Sequence, residues 1–142
     1  MSAGADAYLA DEAATLAFGA RLAEFGLATE LICLRGELGA GKTTLVRGYL
    51  RALGVRGAVK SPTYTLLESY EIGARQVYHF DFYRIDDPRE LDYIGLDDLM
   101  DEPAVKLVEW PDHAGDRLPA AQVEIRLDVQ GRGRHVELVD RR

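Results

Sequence analysis

Residues 31–50 read LICLRGELGAGKTTLVRGYL, an apolar run followed by a glycine-rich turn and then a segment with helical spacing. Residues 36–43 within it match the pattern G-x-x-x-x-G-K-[ST] at every position. Glycines let the backbone close around an anion, so that successive N–H groups point at phosphate oxygens. The helix that begins near Lys42 adds its unpaired N–H groups and the positive end of its dipole. The stretch therefore predicts a nucleoside triphosphate site between a strand and a helix.

Each residue type in this loop suits one part of a nucleotide. Lys42 is expected to reach the β- and γ-phosphates as a point charge, and to face solvent when no ligand is bound. The hydroxyl of Thr43 is expected to ligate the Mg²⁺ that bridges those phosphates. A glycine-rich turn without a ligand is the alternative, but the apolar strand before it and the proline-free helix after it favour nucleotide binding. The loop residues predicted to bind the nucleotide are Gly39, Ala40, Gly41, Lys42, Thr43 and Thr44.

The composition limits what the chain can do around such a site. The chain of 142 residues fits one domain over residues 1–142, and its 47% of hydrophobic residues can bury a core. Its formal net charge is −7, so direct binding of nucleic acid, including DNA, is not expected. It has neither a secretory signal nor a long apolar stretch, which predicts a cytoplasmic protein without membrane contact. The only cysteine, Cys33, lies in an apolar run and is expected to be buried and unreactive.

The hydrophobic pattern predicts strands that alternate with helices, which is typical of an α/β domain. We expect a P-loop NTPase-like single domain, with a mostly parallel central sheet flanked by helices and with additional antiparallel strands. The buried face of the first helix is expected to contain Ala13, Leu16 or Ala17, Ala20 and Ala23. Predicted helices occupy residues 10–25 and 42–53, with short helices in 87–103; predicted strands occupy 30–35, 64–71, 76–83, 104–109, 122–129 and 135–139, with turns near Gly73 and at 131–134.

Two predicted strands carry an acidic residue near their ends, Asp81 in YHFDFYR and Glu109 in LVEWP. The carboxyl ends of parallel strands lie on the nucleotide side of this fold class, so either acid is a candidate for holding Mg²⁺ or orienting the attacking water. Acids at the surface end of a strand are the alternative. Trp110 follows Glu109, and its position favours packing in the core over contact with a nucleotide or partner.

Residues 60–65, KSPTYT, follow the helix after the glycine-rich loop. In P-loop switch proteins this region often supplies a hydroxyl that senses the γ-phosphate or Mg²⁺, which makes Thr63 and Thr65 candidates. A proline-led turn into a strand is the alternative. His79 is expected to be a hydrogen-bonded structural group rather than a base. Arg84 is expected to pair with the acidic segment 86–102.

In this order and spacing, GELGAGKTTLVRGYLRALG, SPTYTL, YHFDFYR and LVEWP resemble the bacterial TsaE family, formerly YjeE. The resemblance extends from the first helix to about Val129. It implies a small ATPase that acts with the proteins TsaB and TsaD to form threonylcarbamoyladenosine next to the anticodon of tRNAs reading codons that begin with A. It also implies ATP and Mg²⁺ as cofactors, with tRNA contacted only indirectly through the complex.

The same resemblance assigns roles to individual residues. It implies that Thr43 and Glu109 are the Mg²⁺-linked residues, and that Asp81 and Trp110 are needed for function. It also makes the segment SPTYT a switch-like loop. The family often has a Gly-Arg pair close to the nucleotide, and Arg134 is the candidate for it, although the sequence GRGR allows two registers.

Two absences bear on the nucleotide and the reaction. The chain lacks the N-K-x-D stretch with which guanine-specific P-loop proteins read the base, which favours ATP. Its length leaves little room for the lid and acceptor pocket of a small-molecule kinase, although a stand-alone kinase is one alternative. A regulatory module that binds a nucleotide without hydrolysing it is the other alternative.

Overall fold

The computed structural model describes residues 3–24 and 31–142, which form one sheet with helices packed against it. In chain order the elements are β1 (Ala3–Leu9), α1 (Glu12–Ala23), β2 (Leu31–Arg35), α2 (Lys42–Leu53), β3 (Leu67–Ile72), β4 (Arg75–Asp81), a 3₁₀ helix (Pro88–Ile94), α3 (Leu96–Asp101), β5 (Val105–Glu109), a second 3₁₀ helix (Pro111–Ala114), β6 (Val123–Gln130) and β7 (Gly133–Asp140).

The seven-stranded sheet has the order β1-β7-β6-β2-β5-β4-β3. Its four central strands, β6, β2, β5 and β4, run parallel to one another, and the outer pairings β1–β7, β6–β7 and β3–β4 are antiparallel. Every residue of β5 is buried, as expected for a parallel strand covered on both faces. The predicted α/β architecture, with a parallel centre and additional antiparallel strands, is therefore confirmed.

Two apolar clusters cover the two faces of the sheet. The first joins the sheet to α1 and α2 and includes Leu34 and Leu50. The second joins the sheet to the first 3₁₀ helix and α3, and includes Phe80, Phe82 and Leu91. The glycine-rich loop and the strand-end acids lie at the rim between these two clusters, where the central strands end.

Most predicted elements are present with shifted ends. The predicted helix at 42–53 coincides with α2, whose flanking residues Gly41 and Gly54 have left-handed φ angles of 104° and 110° that favour glycine. The strand predicted to begin at residue 64 begins at Leu67, because residues 63–65 form a turn and Leu66 itself has a φ of 68°. Residues 25 and 30, the ends of two predicted elements, lie outside the described residues.

The predicted buried face of α1 is only partly right: Ala23 is buried, and Leu16 and Ala20 are half-buried. Ala13 and Ala17 are exposed, and the buried residues are Thr15, Gly19, Leu22 and Ala23. The physical reason is the close approach of α1 to α2: a Cβ at Gly19 would lie only 2.0 Å from the carbonyl oxygen of Leu45. The helices thus meet backbone to backbone at glycine, and hydrophobicity alone does not identify such a contact face.

Strand β1 has no counterpart in the predicted elements. It pairs antiparallel with β7 along residues 3–9 and forms one edge of the sheet. Residues 4–8 are all exposed, so the strand shows no alternation of buried and exposed positions that could have predicted it. Among the described residues, no helix is long and apolar enough to cross a membrane.

Candidate functional site

The glycine-rich loop joins the C-terminal end of β2 to α2, beside the ends of two parallel neighbours. Asp81 on β4 and Glu109 on β5 are paired in the sheet register, so their side chains lie side by side at this edge. A cleft of about 340 Å³ opens there. The predicted site residues that line it are Gly39, Gly41, Lys42, Thr43, Thr44, Thr63, Asp81, Glu109, Trp110 and Arg134.

Two predicted site residues are placed differently. Thr65 is exposed and its hydroxyl donates to Glu68, so it does not line the cleft. Ala40 is 1% exposed and packs into the first apolar cluster, while its N–H donates to the carbonyl of Glu37. Of the two threonines of the segment 60–65, only Thr63 therefore lies at the cleft.

Lys42 does not face solvent, contrary to the sequence-based expectation. Lys42 is only 4% exposed, and its Nζ donates to the carbonyl oxygens of Gly36 and Glu37, the latter at 2.9 Å. The same Nζ lies 4.6 Å from the centre of the Trp110 ring. Burial lowers the pKa of Lys42, although the negative charge of Glu109 opposes that shift. The ammonium group is thus held by the carbonyls and ring of its own cleft.

The two strand-end acids are buried rather than at the surface, with exposed fractions of 4% for Asp81 and 3% for Glu109. The hydroxyl of Thr43 donates to Glu109, 3.0 Å from Oε2 and 3.2 Å from Oε1. Asp81 accepts from the hydroxyl of Thr63 at 3.1 Å and from the backbone N–H of Tyr83 at 2.9 Å. Burial raises the pKa of Asp81, and the hydrogen bond from Tyr83 acts in the opposite direction.

These oxygen atoms suit Mg²⁺ when it arrives with a nucleotide. Mg²⁺ prefers oxygen ligands and is usually held by one or two protein groups together with substrate phosphates and water. Thr43 and Glu109 provide a hydroxyl and a carboxylate within hydrogen-bond distance of each other. Within residues 3–24 and 31–142, no three His, Cys, Asp or Glu side chains are grouped to hold a metal by themselves. The donor set therefore fits an ion that shares its coordination with phosphate oxygens.

Arg134 on β7 contacts the glycine-rich loop directly. Its Nε donates to the carbonyl of Ala40 at 2.9 Å, and its Nη2 donates to the carbonyl of Gly39 at 3.0 Å. The C=O and N–H of a trans peptide unit point in opposite directions, so the bond to the Ala40 carbonyl turns the N–H of Gly41 away from Arg134. Arg132 also lines the cleft. Both registers of the GRGR sequence thus bring an arginine to the cleft, and Arg134 is the one that holds the loop.

Trp110 lines the cleft and is also partly buried against the second apolar cluster, so its sequence position was right to favour packing but the residue reaches the site as well. It has a left-handed φ of 57°, which is uncommon for a residue other than glycine. Its ring packs 5.1 Å from that of Tyr83 and 5.4 Å from that of His113. His113 in turn donates from Nδ1 to the carbonyl of Phe82. This aromatic group fixes the Trp110 ring beside Lys42.

Residues from the start of α1 also line the cleft, and sequence reasoning missed them. Asp11, whose side chain caps α1 by accepting from the N–H of Ala14, lines the cleft together with Glu12 and Thr15. Leu9 and Leu38 are further lining residues that were not predicted. Asp11 and Glu12 lie at the start of the helix predicted over 10–25, but no local pattern relates a helix start to a loop about 30 residues away.

Cys33 and Arg84, for which the sequence also provides expectations, lie outside the cleft. Cys33 is buried as expected, and burial raises the pKa of its thiol to about 12. Arg84 was expected to pair with the acidic segment 86–102, but its guanidinium lies 4.2 Å from the centre of the Tyr64 ring. Among the described residues, Arg84 forms no ion pair with that segment, so the expected pairing is wrong.

The protein is an α/β protein in which a glycine-rich loop joins a central parallel strand to a helix, with buried acids at the ends of the neighbouring strands. The chain belongs to the TsaE family: the sequence model described as "Threonylcarbamoyl adenosine biosynthesis protein TsaE" matches residues 9–136. The proteins of this family take part in tRNA threonylcarbamoyladenosine biosynthesis.

Individual relatives agree with this assignment. The chain is 43% identical over 137 residues to the tRNA threonylcarbamoyladenosine biosynthesis protein TsaE of Haemophilus influenzae, covering 93% of this chain and 87% of that one. It is 37% identical over 117 residues to the protein of the same name from Bacillus subtilis, covering 82% and 73%. The crystal structure of YdiB from Bacillus subtilis superimposes with a TM-score of 0.83 at 27% identity, covering 99% of this chain and 87% of that one.

Proposed function

We propose that this protein binds ATP with Mg²⁺ in the cleft and hydrolyses it, as the ATPase subunit that acts with TsaB and TsaD. Together they form the threonylcarbamoyl group on the adenosine next to the anticodon in tRNAs that read codons beginning with A. The observation that carries the proposal is the convergence of an uncapped helix start, Lys42, Thr43 and two buried acids on one cleft.

The start of α2 supplies the phosphate-binding part of this site. Gly41 caps the helix without any side-chain hydrogen bond, and the first backbone bond inside the helix runs from the N–H of Leu45 to the carbonyl of Gly41. The N–H groups before Leu45 have no acceptor within the helix, so they are available to phosphate oxygens. Lys42 exchanges the carbonyls of Gly36 and Glu37 for the β- and γ-phosphates, which are the stronger partners for an ammonium group.

The two buried acids have different roles in this proposal. Thr43 and Glu109 hold Mg²⁺, which when bound neutralises charge that develops on the phosphates. Asp81 accepts from Thr63 and thereby ties the segment 61–65 to the cleft. One of the two acids orients the attacking water, and a change in the contacts of segment 61–65 reports the state of the γ-phosphate. Hydrolysis then alters a surface that partner proteins can contact.

The net charge agrees with an indirect role on tRNA. A formal charge of −7 opposes direct binding to a polyanion, so TsaB and TsaD are left to hold the tRNA. The protein then needs a surface for protein partners and no basic groove. Capture of tRNA by this protein alone, at physiological salt, would contradict this part of the proposal.

Measurement of ATP turnover tests the proposal. Phosphate release is measured for the protein alone, with TsaB and TsaD, and with tRNA added, and GTP serves as the competing nucleotide. We expect ATP turnover that depends on Lys42 and adenine nucleotides that bind more tightly than guanine nucleotides. Lys42→Ala is the inactive variant, and Arg75→Ala, at the exposed first residue of β4, is the control that should behave as wild type.

The outcomes separate the alternatives. Absence of turnover in every mixture, with ATP still bound, would identify a regulatory nucleotide-binding module. Transfer of phosphate to a small acceptor without TsaB and TsaD would identify a kinase. Unchanged turnover in Lys42→Ala would remove the glycine-rich loop from the reaction altogether.

A further inference from the structure

His79 is a fully buried histidine whose polar contact is directed at one acid of the cleft. It is 0% exposed on β4, and its Nε2 lies 2.6 Å from Oε2 of Glu109. Its other ring nitrogen, Nδ1, is buried without a hydrogen-bond partner, and no other buried side-chain nitrogen or oxygen in the described part of the chain is in that position. The histidine therefore makes its single side-chain hydrogen bond to Glu109.

The direction of this hydrogen bond follows from the chemistry of the partners. A carboxylate oxygen accepts hydrogen bonds, so Nε2 carries the hydrogen and donates it. Glu109 also accepts from the hydroxyl of Thr43. Because that hydroxyl gives its hydrogen to Glu109, the lone pairs of Thr43 Oγ1 are left for another partner. A chain of two hydrogen bonds thus runs from His79 through Glu109 to the proposed Mg²⁺ ligand.

Packing alone gives little reason for a histidine at this position. A buried polar atom without a partner costs roughly 1–3 kcal/mol, and an apolar side chain of similar size avoids that cost. The surrounding strands supply apolar neighbours on the same face, because Val77, two residues before His79, and Leu107, its register partner on β5, are both fully buried in the first apolar cluster. The unpartnered Nδ1 is therefore a cost that accompanies the bond between Nε2 and Glu109.

We propose that His79 is a positioning residue: by donating to Glu109 it holds that carboxylate, and through it the Thr43 hydroxyl, in the orientation that accepts Mg²⁺ with the nucleotide. This inference rests on the proposed function, because it concerns the Mg²⁺-dependent part of ATP binding. Groups that hold metal ligands in place commonly account for about 10- to 100-fold in metal affinity or activity. His79 touches neither the nucleotide nor the ion in this arrangement.

The test uses two variants of matched size that differ in one donor. His79→Gln places an amide N–H near the position of Nε2, whereas His79→Met fills the space without a donor. Calorimetry measures binding of ADP and of a non-hydrolysable ATP analogue to the full chain, once with Mg²⁺ and once with a chelator. Thermal unfolding of each variant reports whether the fold is retained.

We expect His79→Met to lose about 10- to 100-fold of the Mg²⁺-dependent affinity and to keep its affinity in the chelator. His79→Gln should restore most of the Mg²⁺-dependent affinity. A merely structural role predicts a different result, namely equal losses with and without Mg²⁺ that follow the loss of stability. Equal behaviour of the Gln and Met variants would also overturn the inference.

Two further outcomes are distinguishable. If His79→Met does not fold, His79→Asn replaces it as the variant without a donor to Glu109, because the shorter amide does not reach that carboxylate. His79→Asn should then show the same loss of Mg²⁺-dependent affinity that is expected of His79→Met. If the wild-type protein binds no adenine nucleotide under either condition, the proposed function fails and the inference falls with it. Wild-type binding that Mg²⁺ strengthens, with all variants equal to it, would overturn the inference and leave the proposed function standing.

Discussion

Replacement of Arg134 by alanine removes the two hydrogen bonds that hold the glycine-rich loop from β7. These bonds join Nε to the carbonyl of Ala40 and Nη2 to the carbonyl of Gly39. A hydrogen bond from a charged donor is worth about 1.5–3 kcal/mol when buried. Because Arg134 is half-buried and the bond to Gly39 is exposed, we take about 1 kcal/mol for each. The substitution should therefore raise the free energy of the ordered loop, relative to the disordered loop, by about 2 kcal/mol.

This change should appear as weaker nucleotide binding. If the loop must be ordered before it binds phosphates, about 2 kcal/mol corresponds to roughly a thirtyfold increase in the Kd for ATP. Arg134→Lys should recover little of it, because an ammonium group lacks the planar fork that reaches two carbonyls at once. Arg126→Ala, which removes an exposed arginine from the neighbouring strand β6, is the control and should bind ATP as the wild type does.

Calorimetric titration with ATP, combined with hydrogen exchange at residues 36–43, provides the assay. We expect faster exchange in the loop of Arg134→Ala before any nucleotide is added. Wild-type affinity in Arg134→Ala would refute the reasoning. Full affinity in Arg134→Lys with loss in Arg134→Ala would indicate that Arg134 acts as a point charge towards the nucleotide and not as a holder of the loop carbonyls.

Three other predictions follow from the same structure. Asp81→Ala and Glu109→Ala should each slow ATP hydrolysis by about a hundredfold more than they weaken ATP binding, because the larger part of their effect falls on the transition state. Glu109→Ala should also lose at least as much Mg²⁺-dependent affinity as His79→Met, and a loss of turnover no larger than the loss of affinity in either variant would contradict this prediction. Gly19→Ala should lower the free energy of urea unfolding by about 2 kcal/mol, since overpacking outweighs the gain in helix propensity, whereas Gly4→Ala, whose Cβ would have 3.6 Å of space, should change it little. Cys33, with a buried thiol of pKa about 12, should react with iodoacetamide at pH 8 only as fast as the protein unfolds, and rapid alkylation of the native protein would show that the thiol is accessible.

Local sequence patterns predicted the elements that depend on local chemistry. The loop at 36–43, its flanking strand and α2 were predicted because glycine, lysine and threonine stand next to one another and the flanking periodicity is strong. Asp81 and Glu109 were predicted as site candidates because the ends of parallel strands share an edge of the sheet. Strand β1 was missed because an edge strand exposed on both faces has no periodic signal.

The sequence by itself determined the α/β class, the glycine-rich loop, the family resemblance and most of the residues that meet in the cleft. Contiguous motifs and apolar periodicity encode these features locally. Only the tertiary structure decided that Lys42 is held by its own loop, that Arg134 holds the loop carbonyls, that Thr65 lies outside the cleft and that His79 donates to Glu109. These contacts depend on where side chains distant in sequence are brought by the sheet and by the packing of α1 on α2, and no short stretch of the chain contains that information.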